Sequence, residues 1–242
     1  MLLPADAGVG DVFPLPEGER HRVLHVLRLE PGALLRGGTP DGQELELELE
    51  LLAGSEPRLR VLAVSVSPAE ALAQVTLAVA PPRGPRMDWL VEKAVELGVA
   101  GILPLDAVRG VAGAGESRQQ RWERLAEAAA RQCGRWRVPP VLPPSGLADA
   151  VRRSRGPALV CHPEAGAPGL AQEVARLARE CGQGLLVAVG PEGGFTAEEV
   201  AAARSAGARV AQLGPRLLRV ETAALTAVSL ALSALGELGG SA

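Results

Sequence analysis

The sequence predicts an α/β protein in which a small β-rich domain, residues 1–70, precedes a larger domain, residues 73–242, with a parallel sheet covered by helices. The first part contains a run in which apolar and acidic residues alternate at period two, which is typical of a strand with one buried face. The second part alternates short apolar runs with helical segments, the rhythm of parallel strands joined by helices. A chain of 242 residues is long enough to form both.

The strand prediction in the first domain rests on residues 43–51, where leucine and glutamate alternate so that leucines face inward and glutamates face water. Residues 39–42 (TPDG) predict a preceding turn, and residues 58–64 are a second strand candidate, so we expect a hairpin or a small barrel. The row of glutamates would also suit a cation. A solvated strand face is the interpretation that we favour.

The second domain begins after a loosely patterned stretch, residues 65–72, that includes Ser65 and Pro68. Its apolar runs and helical segments, in chain order, cover residues 75–80, 87–97, 101–105, 117–133, 158–161, 170–181, 185–189, 197–206, 210–213 and 220–235. Gly98 and Gly207 stand where helices of this series would end, and glycine is the residue best suited to a left-handed helix C-cap.

Composition argues against several classes of protein. No apolar stretch approaches the roughly 20 residues needed to cross a bilayer, and the start of the chain lacks the basic region and apolar run of a signal peptide. We therefore expect a soluble, cytoplasmic protein. The three cysteines, Cys133, Cys161 and Cys181, form no C-x-x-C pair and are odd in number, so we expect no disulfide framework and no metal site.

Charge is distributed unevenly along the chain, whose net charge is −3. Residues 1–72 carry 6 basic and 12 acidic side chains, a balance of −6, whereas residues 73–242 carry 19 and 16, a balance of +3. A polyanion should therefore meet the second part more readily than the first.

A stripe of arginines opposes the apolar face of the helix predicted over residues 117–135. The stripe consists of Arg121, Arg124, Arg131 and Arg135. Two interpretations stay open for it: a phosphate-binding surface, which the planar guanidinium suits, or an ordinary solvated helix face.

Histidine offers two candidate sites. His21 and His25 lie four residues apart and would share one helix face, but no third ligand with metal-site spacing follows, so a core or surface role is the default. His162 ends an apolar run, and α/β proteins bind ligands at the exits of parallel strands. We expect His162 to lie near a pocket.

The two most informative segments are glycine-bearing loops that leave apolar runs and enter helices, residues 187–195 (VAVGPEGGF) and 213–223 (LGPRLLRVETA). Glycine lets backbone groups approach a ligand closely and a helix N-terminus adds unpaired N–H groups, so we predict a nucleotide-like cofactor. Neither loop matches G-x-G-x-x-G and no P-loop motif occurs, which disfavours ordinary dinucleotide and P-loop binding. The first loop alone would also suit a tight strand-to-helix turn; the second adds polar groups at Arg216, Arg219 and Glu221.

Together the two loops resemble the cofactor motifs of the SPOUT superfamily of methyltransferases, and specifically the RsmE-type family, which methylates N3 of a uridine in 16S ribosomal RNA. Further blocks resemble the same family in the same order over nearly the whole chain: residues 21–29 with 31–32, residues 82–84 with 87–89 and 92–99, and residues 121–122 with 128–135. The sequence departs from the family at its start, which lacks a basic and aromatic segment. It also departs at Arg83, where lysine is usual, and at Val220, where threonine is common.

The resemblance implies a PUA-like β-barrel and then a SPOUT-type α/β domain whose C-terminal part forms a trefoil knot. It implies a homodimer that acts on 16S ribosomal RNA or the assembled small ribosomal subunit, with S-adenosylmethionine (SAM) as cofactor. The cofactor residues, including His162 from its strand exit, would be His162, Gly190, Glu192, Gly193, Gly194, Leu213, Gly214, Leu217, Leu218, Arg219 and Ala223. The expected RNA contacts are His21, Arg22, Arg28, Arg83, Arg109, Arg121, Arg124 and Arg135.

Removal of the N3 proton would spread negative charge onto O2 and O4 of the uracil ring, where a guanidinium would stabilise it. Arg219 is the first candidate for this role and Arg131 the second. Glu221 is a candidate proton acceptor, and anchoring an arginine is its alternative role. Two other functions stay open: a non-enzymatic RNA-binding or ribosome-assembly module and, less favoured, a nicotinamide-dependent oxidoreductase.

Overall fold

The computed structural model describes residues 1–51, 56–110 and 115–239, and none of the helices in those ranges is long and apolar enough to span a membrane. The chain divides into two compact units: residues 1–70 together with 134–138 form the first, and residues 71–133 together with the chain from residue 139 onward form the second. The sequence pattern did not indicate that residues 134–138 belong to the first unit.

The first unit is built on a four-stranded antiparallel sheet in the order β1-β4-β3-β2. Its elements are β1 (Val12–Pro14), α1 (Glu17–His21), a π-helical turn (Arg22–Val26), β2 (Leu34–Gly38), β3 (Gln43–Glu50) and β4 (Arg58–Val66). The two strands expected from the sequence pair as β3 and β4. Leu45, Leu47 and Leu49 of β3 are fully buried, so the alternating run has its apolar face in the core, as predicted.

Residues 134–138 form a compact part of the first unit. Within it, the side chains of Arg135 and Glu70 are almost fully buried and pair through Nε and Oε2 at 3.1 Å. Glu70 also accepts a hydrogen bond from the backbone N–H of Arg137 at 2.7 Å. The placement of Arg135 on an exposed helix face was therefore wrong, because the helix ends at Cys133 and Gly134 follows with φ +82°.

The second unit contains a five-stranded, fully parallel sheet in the order β6-β5-β8-β7-β9. Its elements are β5 (Val75–Val79), α2 (Arg86–Leu97), β6 (Gly101–Pro104), α3 (Glu116–Cys133), α4 (Leu147–Arg153), β7 (Ala158–Cys161), α5 (Leu170–Leu177), a 3₁₀ turn (Cys181–Gln183), β8 (Leu185–Val189), α6 (Ala197–Ser205), β9 (Arg209–Ala211) and α7 (Val220–Ala234). The predicted α/β architecture with a parallel sheet is confirmed. The seven-residue α4 was not predicted, because so short a segment shows little periodicity.

Helices cover both faces of this sheet, which explains why its strands read as continuous apolar runs. All five residues of β8 are buried: Leu185, Val187 and Val189 face the layer of α2, α3, α5 and α7, whereas Leu186 and Ala188 face α4 and α6. The chain runs from β5 to β6 and from β8 to β9, and β6 and β9 lie on opposite sides of the central pair β5 and β8. The strand order therefore switches at β5 and β8.

Glycine ends two of the covering helices, as predicted. Gly98 follows α2 with φ +106°, and Gly207 follows α6 with φ +104°. After each, the next residue donates a backbone hydrogen bond back to the helix, from Val99 to Ala94 at 3.2 Å and from Ala208 to Ala203 at 2.9 Å. This is the pattern of a left-handed C-cap, which satisfies carbonyl groups at the helix end.

Candidate functional site

A cavity of about 320 Å³ lies at the carboxyl ends of β7, β8 and β9. Its walls come from residues 161–163 at the end of β7, from residues 189–192, 194 and 195 at the end of β8, and from residues 212–218, 220 and 223 after β9. Open α/β sheets bind ligands outside the carboxyl ends of their strands, near a switch in strand order. The volume falls within the range of small-molecule sites.

The loop after β8, residues 190–195, is a tight turn. The N–H of Gly194 donates to the carbonyl oxygen of Pro191 at 2.8 Å, and Gly194 has φ +69°, a conformation that glycine adopts without strain. At Gly190 a Cβ would lie 3.1 Å from the ring of Phe195, which is itself buried. At Gly190 the turn therefore leaves little room for a larger side chain.

The outer side of the same loop is tied to the loop after β6. Arg109 donates a hydrogen bond from Nη1 to the carbonyl oxygen of Gly193 at 2.9 Å. Val108 donates its N–H to the carboxylate of Glu199 at 2.9 Å. Glu199 also forms a capping box with Thr196 at the start of α6, where each residue's side chain accepts the other's backbone N–H. Together these bonds fix the turn from outside the cavity.

The loop after β9, residues 212–219, also lines the cavity and leads into the N-terminus of α7. Gly214 has φ +118°, which again favours glycine. The side chain of Leu217 is 96% exposed although the residue lines the cavity. Arg219 is the N-cap of α7, its carbonyl oxygen accepts the N–H of Ala223 at 2.8 Å, and the residue is exposed. The arginine side chain is therefore accessible at this edge.

The segment after β7 completes the cavity. His162 donates its backbone N–H to the carbonyl oxygen of Ala211 at 3.0 Å, so this segment is held against the end of β9. Cys161 lines the cavity, and burial raises the pKa of its thiol to about 12. The thiol therefore stays protonated at neutral pH and is a poor nucleophile.

Arg86 joins the two glycine-bearing loops through ion pairs. Its Nη2 lies 3.4 Å from Oε1 of Glu192 in the first loop, and its Nη1 lies 3.7 Å from Oε2 of Glu221 at the start of α7. Sequence reasoning missed Arg86, although it falls between two blocks of the family resemblance. The sequence signal that could have found Arg86 is its position. It is the first residue of α2, the helix that follows β5, so it lies at the same edge of the sheet as the loops.

The predicted cofactor residues are brought together at this cavity with two exceptions, Gly193 and Arg219. The residues that line it are His162, Gly190, Glu192, Gly194, Leu213, Gly214, Leu217, Leu218 and Ala223. Gly193 faces Arg109 on the outside of the turn, and Arg219 lies between two lining residues. Glu221, a candidate proton acceptor, also lies behind the wall, next to Arg86.

The predicted RNA contacts are spread over both units. Arg83 is exposed, and on α3 Arg121 pairs with Asp88 at 2.6 Å while Arg124 is exposed. Arg131, the second catalytic candidate, pairs with Glu127 at 2.9 Å and does not line the cavity. In the first unit, three of the expected contacts are exposed: His21, Arg22 and Arg28. Within the described ranges, no three His, Cys, Asp or Glu side chains converge as metal ligands would.

Comparison with known proteins decides the family. A model of the RNA methyltransferase domain matches residues 69–232. The chain is also 35% identical over 240 residues to the ribosomal RNA small subunit methyltransferase E of Mycobacterium bovis, with 95% of this chain and 87% of that protein covered. The chain belongs to the ribosomal RNA small subunit methyltransferase E family. The predicted family resemblance is thereby confirmed.

Two solved structures of similar proteins contain SAM. One is the ribosomal RNA small subunit methyltransferase E of Neisseria gonorrhoeae bound to SAM, with 30% identity, a TM-score of 0.74, and 96% and 95% of the two chains covered. The other is a methyltransferase from Legionella pneumophila in complex with SAM, with 29% identity, a TM-score of 0.72, and 96% of each chain covered. Neither the oxidoreductase nor the purely RNA-binding alternative finds support among these relatives.

The cavity of this family member has the chemistry that SAM requires. Most of its lining surface is apolar, with Val189, Leu213 and Leu218 among the lining residues, and glycines of two loops bring backbone to the same surface. The donor carries a sulfonium, an ammonium and a carboxylate group but no phosphate. Glu192 matches the sign of the two positive groups, and Arg216, which also lines the cavity, matches that of the carboxylate. The residues present therefore fit this cofactor.

Proposed function

We propose that this protein transfers a methyl group from SAM to N3 of one uridine in 16S ribosomal RNA. The observation that supports it most directly is the cavity enclosed by the loops after β7, β8 and β9, in a chain whose relatives are ribosomal RNA methyltransferases and SAM-bound proteins. The cavity holds the donor in this proposal, and the acceptor base approaches from its open side.

Backbone groups do most of the binding in this proposal. Gly190, Gly194 and Gly214 line the cavity, where no side chain separates their backbone from a ligand. Aliphatic residues enclose the adenosine part, and Glu192 faces the positive charge. His162 and Ala223 complete the walls at the ends of β7 and α7.

Bound SAM supplies an electrophilic methyl group on a sulfonium. The protein's own task is to orient the uracil and to stabilise the anion that forms when N3 loses its proton, with charge on O2 and O4. We assign the stabilising role first to Arg219, because it is exposed at the edge of the loop that lines the cavity. Arg131 stays the second candidate. For Glu221 we propose the anchoring role, since it lies beside Arg86.

RNA binding is assigned to exposed basic side chains of both units. Those in the second unit are Arg83, Arg109, Arg121 and Arg124, and those in the first are His21, Arg22 and Arg28. Trp89, which is 47% exposed, is the one exposed side chain among the five aromatic residues, so phosphate contacts dominate over base stacking in this proposal. The uridine must be unpaired or turned out of its stack to reach the cavity.

Three architectural features belong to the same proposal: a PUA-like barrel in the first unit, a trefoil knot at the C-terminus and a homodimer. For the knot, the supporting observation is that the chain leaves the edge strand β9 and returns to pack α7 against β5, β8, α2 and α5. The substrate would be 16S ribosomal RNA or the assembled small subunit, in the cytoplasm.

The test is methyl transfer from tritiated SAM to naked 16S ribosomal RNA and, in parallel, to small ribosomal subunits, followed by digestion to nucleosides. We expect the label in N3-methyluridine. Label in another nucleoside would contradict the assigned atom. SAM binding without transfer to either substrate would contradict the proposed reaction, and a comparison of the two substrates identifies the preferred one.

A further inference from the structure

We propose that Arg86 is a positioning residue that clamps the loop carrying Glu192 to the first turn of α7 and so sets the width of the cofactor cavity. The inference rests on the proposed function of that cavity as the SAM site. It concerns the affinity for SAM, because Arg86 touches the wall and does not line the cavity itself.

The clamp uses three donors of one guanidinium in three directions. Nη2 faces Oε1 of Glu192 at 3.4 Å, and Nη1 faces Oε2 of Glu221 at 3.7 Å. Nε donates to the carbonyl oxygen of Arg83 at 3.1 Å, which fixes the guanidinium to its own end of the helix. A planar fork serves two carboxylates at once, whereas an ammonium group is a single point of charge.

The two ends of the clamp differ in burial. The Glu221 side chain is only 12% exposed, and its Oε2 forms no hydrogen bond within the described part of the chain, so Arg86 is its balancing charge. The Glu192 side chain is 43% exposed and belongs to a loop. Glu221, a buried carboxylate on a helix, is the fixed end of the clamp. Glu192, an exposed carboxylate on a loop, is its movable end. Arg86 therefore holds the loop, with the helix as its support.

The consequence for SAM follows from where Glu192 lies. Its loop and the loop before α7 both line the cavity, and the clamp joins the first loop to the first turn of α7. Without the clamp, part of the binding energy must order the first loop, which weakens affinity for SAM. Turnover at saturating SAM should change less, because the bound loop regains its position.

The experiment measures the dissociation constant for SAM by calorimetry in Arg86→Gln, Glu192→Gln and the double variant. We expect Arg86→Gln to weaken binding about tenfold and Glu192→Gln to weaken it at least as much, because Glu192 also faces the cofactor. The double variant should be no weaker than Glu192→Gln alone, because Arg86 acts on the loop through Glu192. In assays with saturating RNA, the KM for SAM should rise while kcat falls less than threefold or so. Arg86→Lys should regain part of the affinity.

Arg152→Gln is the matched control, since Arg152 pairs with Asp149 on α4 and does not line the cavity. It should bind SAM like the unchanged protein. The proposal is overturned if Arg86→Gln binds SAM normally, or if the effects of Arg86→Gln and Glu192→Gln multiply to about a hundredfold, because Arg86 would then act independently of Glu192.

Should Arg86→Gln fail to fold, Glu192→Gln removes the clamp at its exposed end, and unchanged affinity there overturns the proposal. Failure of the unchanged protein to bind SAM would instead contradict the cofactor site itself.

Discussion

Arg109 donates a hydrogen bond from Nη1 to the carbonyl oxygen of Gly193 at 2.9 Å, so a residue expected to contact RNA also supports the loop expected to bind the cofactor. The side-chain carbon atoms of Arg109 also lie close to Gly193. A Cβ on Gly193 would lie 3.2 Å from Cδ of Arg109 and 3.3 Å from its Cβ. A side chain at residue 193 therefore requires Arg109 or the turn to shift.

Gly193→Val should abolish measurable SAM binding while leaving the fold intact. The branched side chain would push Arg109 away or displace the turn, and the exposed position spares the core. Calorimetry measures the affinity, and urea unfolding checks the fold. Gly146→Val is the control, because a Cβ at Gly146 meets nothing within 4 Å and the residue does not line the cavity. Normal affinity in Gly193→Val would remove this loop from the cofactor site.

Arg219→Ala should lower kcat by about a hundredfold, the scale seen when one donor to a developing anion is lost. Affinity for SAM should change by no more than about threefold, since the residue does not line the cavity. Single-turnover methylation at saturating SAM measures the change in kcat, and calorimetry measures the change in affinity for SAM. Arg179→Ala, another exposed arginine, serves as the control. A normal kcat in Arg219→Ala would pass the stabilising role to Arg131.

Gly38→Ala should destabilise the protein by about 1–3 kcal/mol, the usual cost of overpacking. A Cβ on Gly38 would overlap the ring of Trp136 within the first unit. Urea unfolding should show a lower midpoint for this variant. Gly18→Ala is the matched control, because Gly18 lies in the short helix α1 and a Cβ there meets nothing within 4 Å. Equal midpoints for the two variants would contradict the tight packing of Trp136.

The elements that could be predicted from sequence are those whose signals are local. The run at β8 is apolar because every residue is buried, and the period-two run of β3 places Leu45, Leu47 and Leu49 in the core. Gly98 and Gly207 predicted helix ends because glycine is the residue best suited to a left-handed C-cap. The cavity was predictable for the same reason, since both of its main loops carry glycines at strand exits.

The contacts that the sequence did not predict join residues that lie far apart in the chain. The sequence pattern groups Arg135 with the arginine stripe, either a phosphate-binding surface or a solvated face, yet it is buried against Glu70, 65 positions earlier. The sequence pattern does not single out Arg86, and only the folded sheet edge brings it to Glu192 and Glu221. Helical periodicity reports which face a side chain occupies, but it does not report which carboxylate it meets.

Glu173→Gln should destabilise the protein at neutral pH and make its stability less sensitive to acid. Glu173 is buried, and hydrogen bonds from Arg176 and then from Arg209 lower the pKa of its carboxyl group below its ordinary value, against the opposing effect of burial. Ionised Glu173 therefore stabilises the fold above the pKa of the unfolded chain, and this contribution is lost as pH falls through the lowered folded pKa. The loss at pH 7 should be about 1.5–3 kcal/mol, the scale of hydrogen bonds to a charged group.

Urea unfolding from pH 7 down to pH 3 measures this effect, and the difference between Glu173→Gln and the unchanged protein should shrink towards the acid end. Asp149→Asn is the control, because its pair with Arg152 is exposed on both sides and such pairs contribute little. That variant should follow the unchanged protein at every pH. If Glu173→Gln lowered the free energy of unfolding by the same amount at every pH, the substitution would act through packing. The charge of Glu173 would then contribute nothing to the contact between α5 and β9.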